Sequence, residues 1–357
     1  MRLRPALLLT LLLVLLGTTV PGQAAAPSPS LDAVSDVRGV VYSNVHRPPA
    51  LLAADLPRLQ SIGVNHITMY VYLFVDNPTS SSVKRGPTTP TDAELGAVID
   101  LVHAAGMTVT VSPLPFWAGG DTWRGEFQPE SPDAFFDSWR FFINHYAALS
   151  EQHDVEMFAF GSEQNSLQKY TEQWRRTAAE ARKSFSGPLT YMATAKESIE
   201  GIRFWDAVDV VSVSTYFSVS SRAEPTYEEI RGTWQGYGID YLRRIADTTG
   251  KKVLIAEVGF VNARYFGKET YDPKPSPIPA PQAQADAYAA VLDALAATPD
   301  RSKFLTGITW WDWDPLSVSS ADATFSPRGK PAECVLARAW GAGAVQTLAD
   351  ALPCGSR

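Results

Sequence analysis

Two glutamates each stand at the end of an apolar run in this sequence. Glu163 follows "VEMFAF" after a short "GS", and Glu257 lies within "VLIAEVGF". Desolvating a carboxylate is costly, so an acid at the end of a buried strand is expected to have a partner or a task. Two carboxylates that face one cavity can cleave a glycosidic bond, because one protonates the departing sugar oxygen while the other receives the positive charge at the anomeric carbon.

This chemistry needs one carboxyl group protonated and the other ionised near neutral pH. Different surroundings separate the two pKa values, and the close approach of like charges raises the pKa of the group that keeps its proton. Taken alone, either glutamate is better explained as a solvated or ion-paired loop acid, since buried unpaired acids are rare. Their matching positions after strands favour a catalytic pair, Glu163 and Glu257.

Other catalytic chemistries find less support in the sequence. No G-x-S-x-G turn accompanies any histidine, which disfavours a serine hydrolase. The five histidines have no metal-ligand spacing, and two cysteines cannot form a structural zinc site alone. We therefore expect neither a metal nor another cofactor.

Eight β-rich runs alternate with longer amphipathic stretches, a pattern typical of parallel α/β folds. The predicted strands cover residues 38–44, 65–74, 107–114, 155–160, 189–194, 208–217, 253–260 and 305–313. Helices are predicted over 91–105, where Thr91 and Glu94 form a capping box, from Ser131 and Pro132 onward, and over 226–248 and 281–297.

Eight strands with intervening helices predict a single (β/α)8 TIM barrel, whose active site forms at the C-terminal ends of the strands. The alternative is a doubly wound open sheet. That fold usually shows a glycine-rich first turn for phosphate, which "RGVVYSNVHRPP" lacks.

The N-terminus predicts export. Residues 1–26 resemble a secretory signal peptide, with two arginines, an apolar stretch and small residues before the expected cleavage position. A membrane anchor is the alternative, but the apolar stretch is short and a Pro/Ser-rich linker, 27–36, follows it. We expect residues 37–357 to form one catalytic domain, secreted and extracellular, with no membrane span after signal removal.

Charge and cysteine content limit the partners of the mature chain. The formal net charge is -7 for the full sequence and becomes -9 without residues 1–26, which carry two arginines and no acids. No run of Lys and Arg is present, so nucleic acid is an unexpected partner. Cys334 and Cys354 are close together near the C-terminus of an exported chain, which favours a disulfide between them. We expect a monomer.

Several segments together resemble glycoside hydrolase family 113 of clan A, the retaining (β/α)8 enzymes, whose characterised activity is endo-β-1,4-mannanase. The resemblance spans nearly the whole mature chain. It is carried by "DTWRGEF" (121–127), "FGSEQNSL" beginning at Phe160, "RFWDAVDVVSVSTYF" (203–217), "IAEVGF" (255–260) and "SPRGKPA" (326–332).

The resemblance implies a role for individual residues. Glu163 would be the general acid/base and Glu257 the nucleophile. Tyr216 resembles the tyrosine that hydrogen-bonds the nucleophile, and Trp311 resembles the clan's sugar-platform tryptophan. Many clan members carry Asn before the acid/base, whereas this chain has Ser162 there.

Ser162 reaches less far toward a sugar 2-hydroxyl, so either Asn165 or another donor would make that contact, or the 2-hydroxyl would be held differently. In the loop after the third strand, Trp117 and Trp123 offer flat apolar faces for sugar rings. Arg124 and Asp312 are either substrate ligands or members of internal salt bridges.

The sequence therefore predicts a retaining glycoside hydrolase with a polysaccharide or oligosaccharide substrate, an endo-β-1,4-mannanase being the first choice. One alternative keeps the mechanism and changes the sugar to a β-glucan, a β-galactan or a bacterial surface glycan. Another is a non-catalytic carbohydrate-binding barrel.

Overall fold

A closed barrel of eight parallel strands organises the protein. The computed structural model describes residues 29–195, 201–317 and 319–341. The strands are β1 (Val37–Tyr42), β2 (His66–Phe74), β3 (Thr108–Phe116), β4 (Met157–Ser162), β5 (Leu189–Thr194), β6 (Val210–Ser214), β7 (Val253–Val258) and β8 (Leu305–Trp310). Each pairs in parallel with its neighbours in chain order, and β8 pairs with β1, which confirms the (β/α)8 barrel and excludes the open sheet.

Helices surround the barrel. They are α1 (Pro49–Ser61), α2 (Asp92–Ala104), α3 (Pro132–Gln152), α4 (Thr171–Ala181), α5 (Tyr227–Thr233), α6 (Ile239–Thr249), α7 (Pro281–Ala296), α8 (Arg301–Phe304) and α9 (Pro331–Trp340). A π-helical turn, Trp234–Gly238, joins α5 to α6. Among the described residues between β5 and β6, the only helical turn is the 3-10 turn Trp205–Ala207.

The predicted helix starts are present. The Thr91 hydroxyl accepts a hydrogen bond from the Glu94 amide, and the Glu94 carboxylate accepts one from the Thr91 amide, so the capping box at α2 is confirmed. At α3 the Ser131 hydroxyl accepts a hydrogen bond from the Ala134 amide, ahead of Pro132, whose missing N–H costs nothing at the first helical position. These caps fix where the two helices begin.

The barrel interior is filled by side chains of alternating strand residues, as the two-residue period of a strand requires. The lower layer contains Val37, Met157, Val210 and Leu254. The layer above it contains Val41, Tyr70, Leu114, Ala159, Met192 and Ala256. The barrel is therefore closed below, and a ligand can enter only at its upper, C-terminal edge.

Six of the eight predicted strand ends were wrong by two or three residues, and three of these ends lie beside predicted site residues. β4 extends to Ser162, two residues beyond its predicted end, so Glu163 follows it directly. β6 ends at Ser214 and β8 at Trp310, which leaves Tyr216 and Trp311 just beyond their strands. Strand pairing shifts register in β7 and β8 near these ends, where the apolar sequence alone gives no sign of a break.

Parts of the sequence interpretation lie outside the described residues. These include residues 1–26 and Cys354, so the signal peptide, the cleavage position and the pairing of Cys354 with Cys334 stay predictions. Within the described ranges, the helices lack the length and apolar character needed to cross a bilayer. The same ranges contain no group of His, Cys, Asp and Glu side chains suited to a metal ion.

Candidate active site

Glu163 occupies the first position after β4. Its backbone is left-handed, with φ of 51°, a conformation that costs about 1–2 kcal/mol for a residue other than glycine. The amide of Glu163 donates to the carbonyl of Met192 in β5 at 2.8 Å, which holds the turn. The pairing of β4 with β5 shifts register just before this point.

The Glu163 side chain is buried and forms an ion pair. Nη2 of Arg124 donates to its Oε2 at 2.7 Å. Arg124 begins a short 3-10 turn, Arg124–Glu126, in the loop that follows β3. Of the two interpretations that the sequence left open for Arg124, the structure therefore shows the internal salt bridge.

Glu257 lies within β7, next to the barrel mouth, and its carbonyl accepts from the amide of Thr215 at 2.7 Å. Both oxygens of its buried carboxyl group accept hydrogen bonds from tyrosines. Tyr70, on β2, donates to Oε1, and Tyr216, beyond β6, donates to Oε2 at 2.8 Å. Two phenols from different strands thus fix the orientation of one carboxyl group.

The two glutamates belong to one electrostatic unit. The pKa of Glu257 rises from 4.5 to about 7, chiefly because the group is buried and secondly because of the Glu163 charge. Arg124 and the two phenols oppose this rise. Burial and the Glu257 charge raise the pKa values of Tyr70 and Tyr216 well above 10, so both phenols remain donors.

Trp311 places an indole ring beside this carboxyl group. Its ring lies 5.7 Å from that of Tyr70, centroid to centroid, at an interplanar angle of 36°. Trp310 faces the other way and stacks on Tyr288 of α7 at 3.8 Å. Trp313 is buried, and its indole nitrogen donates to Asp55 of α1 at 2.9 Å. Trp311 is thus the partly exposed ring of the three.

The remaining predicted site residues differ in their surroundings. Ser162 is buried, and its hydroxyl has no hydrogen-bond partner among the described residues. The Asn165 amide nitrogen donates to Thr194 at 2.9 Å, and its oxygen accepts from Gln168 at 3.1 Å. Both ends of Asn165 are therefore engaged within the protein.

The two loop tryptophans also differ. Trp117 is partly buried against the hydrophobic core, and its ring covers Gly119 and Gly120 closely enough that a Cβ there would collide with it. Trp123 covers Gly125 in the same manner, yet it remains 37% exposed. The absence of a Cβ at these glycines leaves room for both indole rings, and Trp123 is the more solvent-exposed of the two.

Tyr70 is the site residue that the sequence analysis missed. It lies in "HITMYVYLF", where an inward tyrosine resembles any core residue of a buried strand. Strand parity gives a signal, since Tyr70 and Tyr72 are two residues apart and approach the C-terminal end of β2. The alternation of strand residues does not show that the Glu257 carboxyl group of β7 lies opposite Tyr70.

Comparisons with solved structures agree with this architecture. The chain matches the β-mannanase AaManA from Alicyclobacillus acidocaldarius, solved with ManMIm, at 26% identity and a TM-score of 0.74, over 86% of this chain and 97% of that one. Another β-1,4-mannanase of family 113 matches at 21% identity and 0.74, over 86% and 99%. A family 5 mannosidase from Rhizomucor miehei shares the fold at 12% identity and 0.60, over 89% and 95%.

A search of curated proteins finds no match for this chain. The model of Glycoside Hydrolase Family 113, in contrast, matches residues 50–328, which is well over half of the sequence and includes both glutamates, Arg124, Tyr70 and Trp311. The chain therefore belongs to glycoside hydrolase family 113.

Proposed function

We propose that this protein is a retaining endo-β-1,4-mannanase in which Glu257 is the nucleophile and Glu163 the general acid/base. The observation that carries the proposal is the buried Glu257 carboxyl group, hydrogen-bonded at both oxygens and coupled to the Glu163–Arg124 ion pair. The family 113 proteins of known structure that resemble this chain are β-mannanases, which supports the choice of mannan.

In the first step, an oxygen of Glu257 attacks the anomeric carbon while the bond to the leaving sugar oxygen breaks. Glu163 gives its proton to that oxygen, and a covalent glycosyl-enzyme forms. In the second step, water attacks the same carbon, Glu163 takes a proton from the water, and the Glu257 carboxylate leaves. Two inversions retain the anomeric configuration.

Arg124 has a specific part in this cycle. Nη2 of Arg124 donates to Oε2 of Glu163 at 2.7 Å, which holds the carboxyl group in one orientation. Glu163 must face the leaving sugar oxygen in the first step and the attacking water in the second, so its orientation matters in both. Arg124 is therefore a positioning residue for Glu163.

Replacing each glutamate by alanine tests the assignment. Glu163→Ala and Glu257→Ala should fold normally and lose nearly all activity, at least about a hundredfold to ten-thousandfold for the acid/base. With an activated aryl glycoside, azide should restore turnover of Glu257→Ala and yield a glycosyl azide of inverted configuration. Glu228→Ala, an exposed acid of α5, is the matched control. Wild-type turnover in either site variant refutes the mechanism.

The identity of the sugar needs its own test, because Ser162 replaces the asparagine that many clan members use near the 2-hydroxyl. A β-glucan, a β-galactan or a bacterial surface glycan fits the same mechanism. Product analysis on a panel of these polymers with β-mannan should show mannan cleaved fastest, and a faster rate on another polymer would replace mannan as the substrate.

We further propose that the enzyme acts outside the cell after removal of residues 1–26. The apolar N-terminal stretch and the Pro/Ser-rich residues after it support this location. Mass spectrometry of protein from the culture medium should find a chain that begins within a few residues of position 27. A chain found only in cells, with its N-terminus intact, would contradict it.

A further inference from the structure

A second polar cluster lies beside the two glutamates and has no part in the mechanism above. It consists of Ser43, Tyr72 and Asp312, and we call it the Asp312 cluster. Ser43 directly follows β1, Tyr72 is near the end of β2, and Asp312 is the second residue after β8. Because β8, β1 and β2 are consecutive in the barrel, the three side chains share one section of its C-terminal edge.

The three residues lie close together. The Ser43 hydroxyl donates to Oδ2 of Asp312 at 3.3 Å. Burial raises the pKa of Tyr72 to about 12, and the nearby charge of Asp312 adds to this rise. The Tyr72 ring meets the ring of Phe116 edge to face, with centroids 5.4 Å apart, and Phe116 is 40% exposed. A carboxylate, two hydroxyls and an open aromatic face are therefore adjacent.

Asp312 keeps acceptor capacity for a ligand. No Lys, Arg or His side chain of the described residues lies within 4 Å of its carboxylate, although seventeen other ion pairs are present there. An ionised carboxyl group has about four acceptor positions, and the long contact with Ser43 uses one of them. The residue is only partly buried, at the open end of the barrel.

The position of the cluster indicates which part of a sugar chain would reach it. The section β8–β1–β2 lies across the eight-stranded ring from β4–β6, and Glu163 follows β4. An acid that protonates the leaving group must lie on the leaving-group side of the cut. The Asp312 cluster therefore faces the part of the sugar chain opposite the leaving group. The unit of this part at the cut carries the anomeric carbon that is attacked.

We propose that Asp312, Ser43 and Tyr72 form a sugar subsite that binds a neutral hexopyranose unit on the non-reducing side of the cut, with Asp312 accepting hydrogen bonds from neighbouring hydroxyls. The proposal rests on the proposed glycosidase mechanism and adds a specificity to it. The acids Asp312, Asp314 and Glu257 act on this side of the cleft together with the cations Arg124 and Lys330. The acids outnumber the cations, so we expect repulsion to disfavour a uronic acid unit there.

The test compares Asp312→Asn with the wild type on the neutral polymer that the wild type cleaves and on the same polymer with its C6 hydroxyls oxidised to carboxylates. Asp312→Asn should lower kcat/KM on the neutral polymer by about tenfold to a hundredfold, the range expected for hydrogen bonds to a charged group. It should also reduce the ratio of kcat/KM on the neutral polymer to kcat/KM on the oxidised polymer.

Two further variants separate contact from charge. Asp314→Asn removes one negative charge two residues away and should change kcat/KM on the neutral polymer by less than about threefold. Tyr72→Phe keeps the ring, removes only the hydroxyl, and should raise KM more than it lowers kcat. It also serves as the second variant if Asp312→Asn does not fold.

Equal effects of Asp312→Asn and Asp314→Asn would overturn the subsite while leaving the proposed mechanism intact. Equal wild-type rates on the neutral and oxidised polymers would overturn the neutral-sugar specificity. If the wild type cleaves no polymer of the panel, the proposed function fails first and the subsite fails with it.

Discussion

The carboxyl group of Glu257, the proposed nucleophile, is subject to opposing influences on its ionisation. Burial and the Glu163 charge favour the neutral acid, whereas Arg124, Tyr70 and Tyr216 favour the carboxylate. The resulting pKa of about 7 lies close to the working range of an enzyme at neutral pH. Small changes in these neighbours should therefore move the pH profile.

Removing the Tyr70 hydroxyl tests this balance. Tyr70→Phe should raise the pKa of the coupled pair, because a hydrogen bond to the ionised form of Glu257 is lost. The acidic limb of kcat/KM against pH should move up by about one unit, and kcat/KM at pH 7 should fall about tenfold or more. The pH dependence of kcat/KM is the measurement.

Tyr146→Phe is the matched control, since its buried hydroxyl on α3 has no hydrogen-bond partner among the described residues. It should leave the pH profile in place. An unmoved acidic limb in Tyr70→Phe would mean that Tyr70 contributes packing only.

At the scale of elements, the segment from β8 to α9 carries both Trp311 and Asp312, and Lys330 holds it in place. The buried ammonium group of Lys330 donates to Ser317 at 2.9 Å, to Thr324 at 2.8 Å and to the Ser326 carbonyl at 2.5 Å. These contacts tie the start of α9 to the middle of the segment, and among the described residues no carboxylate lies within ion-pair distance of Lys330.

Burial lowers the pKa of Lys330 from 10.5 to about 8, although the charges of Asp322, Asp312 and Asp314 oppose this change. The unfolded chain therefore binds this proton more tightly than the folded one. The contribution of Lys330 to the unfolding free energy is fully present above pH 10.5 and is lost as the pH falls to 8. The full change is roughly 3 kcal/mol.

Lys330→Met removes this dependence. The unfolding free energy of the wild type minus that of Lys330→Met should increase between pH 8 and pH 10.5, because all other titrations are common to both proteins. Denaturant unfolding at several pH values in this window measures it. A constant difference would show that Lys330 keeps an ordinary pKa in the folded protein.

The elements were more predictable than their ends. Capping signals such as Thr91 with Glu94, and the two-residue period of the strands, depend on neighbouring residues and so can be read from sequence. The end of β8 depends on a bond across strands, from the Trp311 amide to the Val258 carbonyl. Glu163 and Glu257 could be predicted because each stands at the end of its own apolar run. Tyr70 could not, because its role depends on a carboxyl group from β7, which is distant in sequence.

At the scale of the whole molecule, exposed aromatic residues flank the site from opposite sides of the barrel. Phe116 and Trp123 lie at the end of β3 and in the loop after it, and Tyr265 and Tyr271 lie in the long connection between β7 and α7. Since β3 and β7 face each other across the ring, a chain of several sugar units can contact both groups.

This arrangement predicts cleavage within a polymer rather than from its end. The viscosity of a soluble β-mannan should fall strongly while few new reducing ends have formed, because internal cuts shorten long chains most. Viscometry alongside a reducing-sugar assay measures this. A viscosity that falls only in proportion to released sugar would indicate removal of terminal units instead.

The adjacent tryptophans at the end of β8 have a consequence for how the enzyme can diverge. Consecutive side chains point to opposite faces of the barrel wall here. Trp310 stacks on Tyr288 of α7 on the outer face, and Trp311 lies against Tyr70 on the inner face. Packing against α7 and the proposed contact with sugar thus fall to two neighbouring positions of one segment. Under the proposed function, the inward ring can be exchanged as sugar preference evolves, while the outward ring continues to hold the strand against the helix.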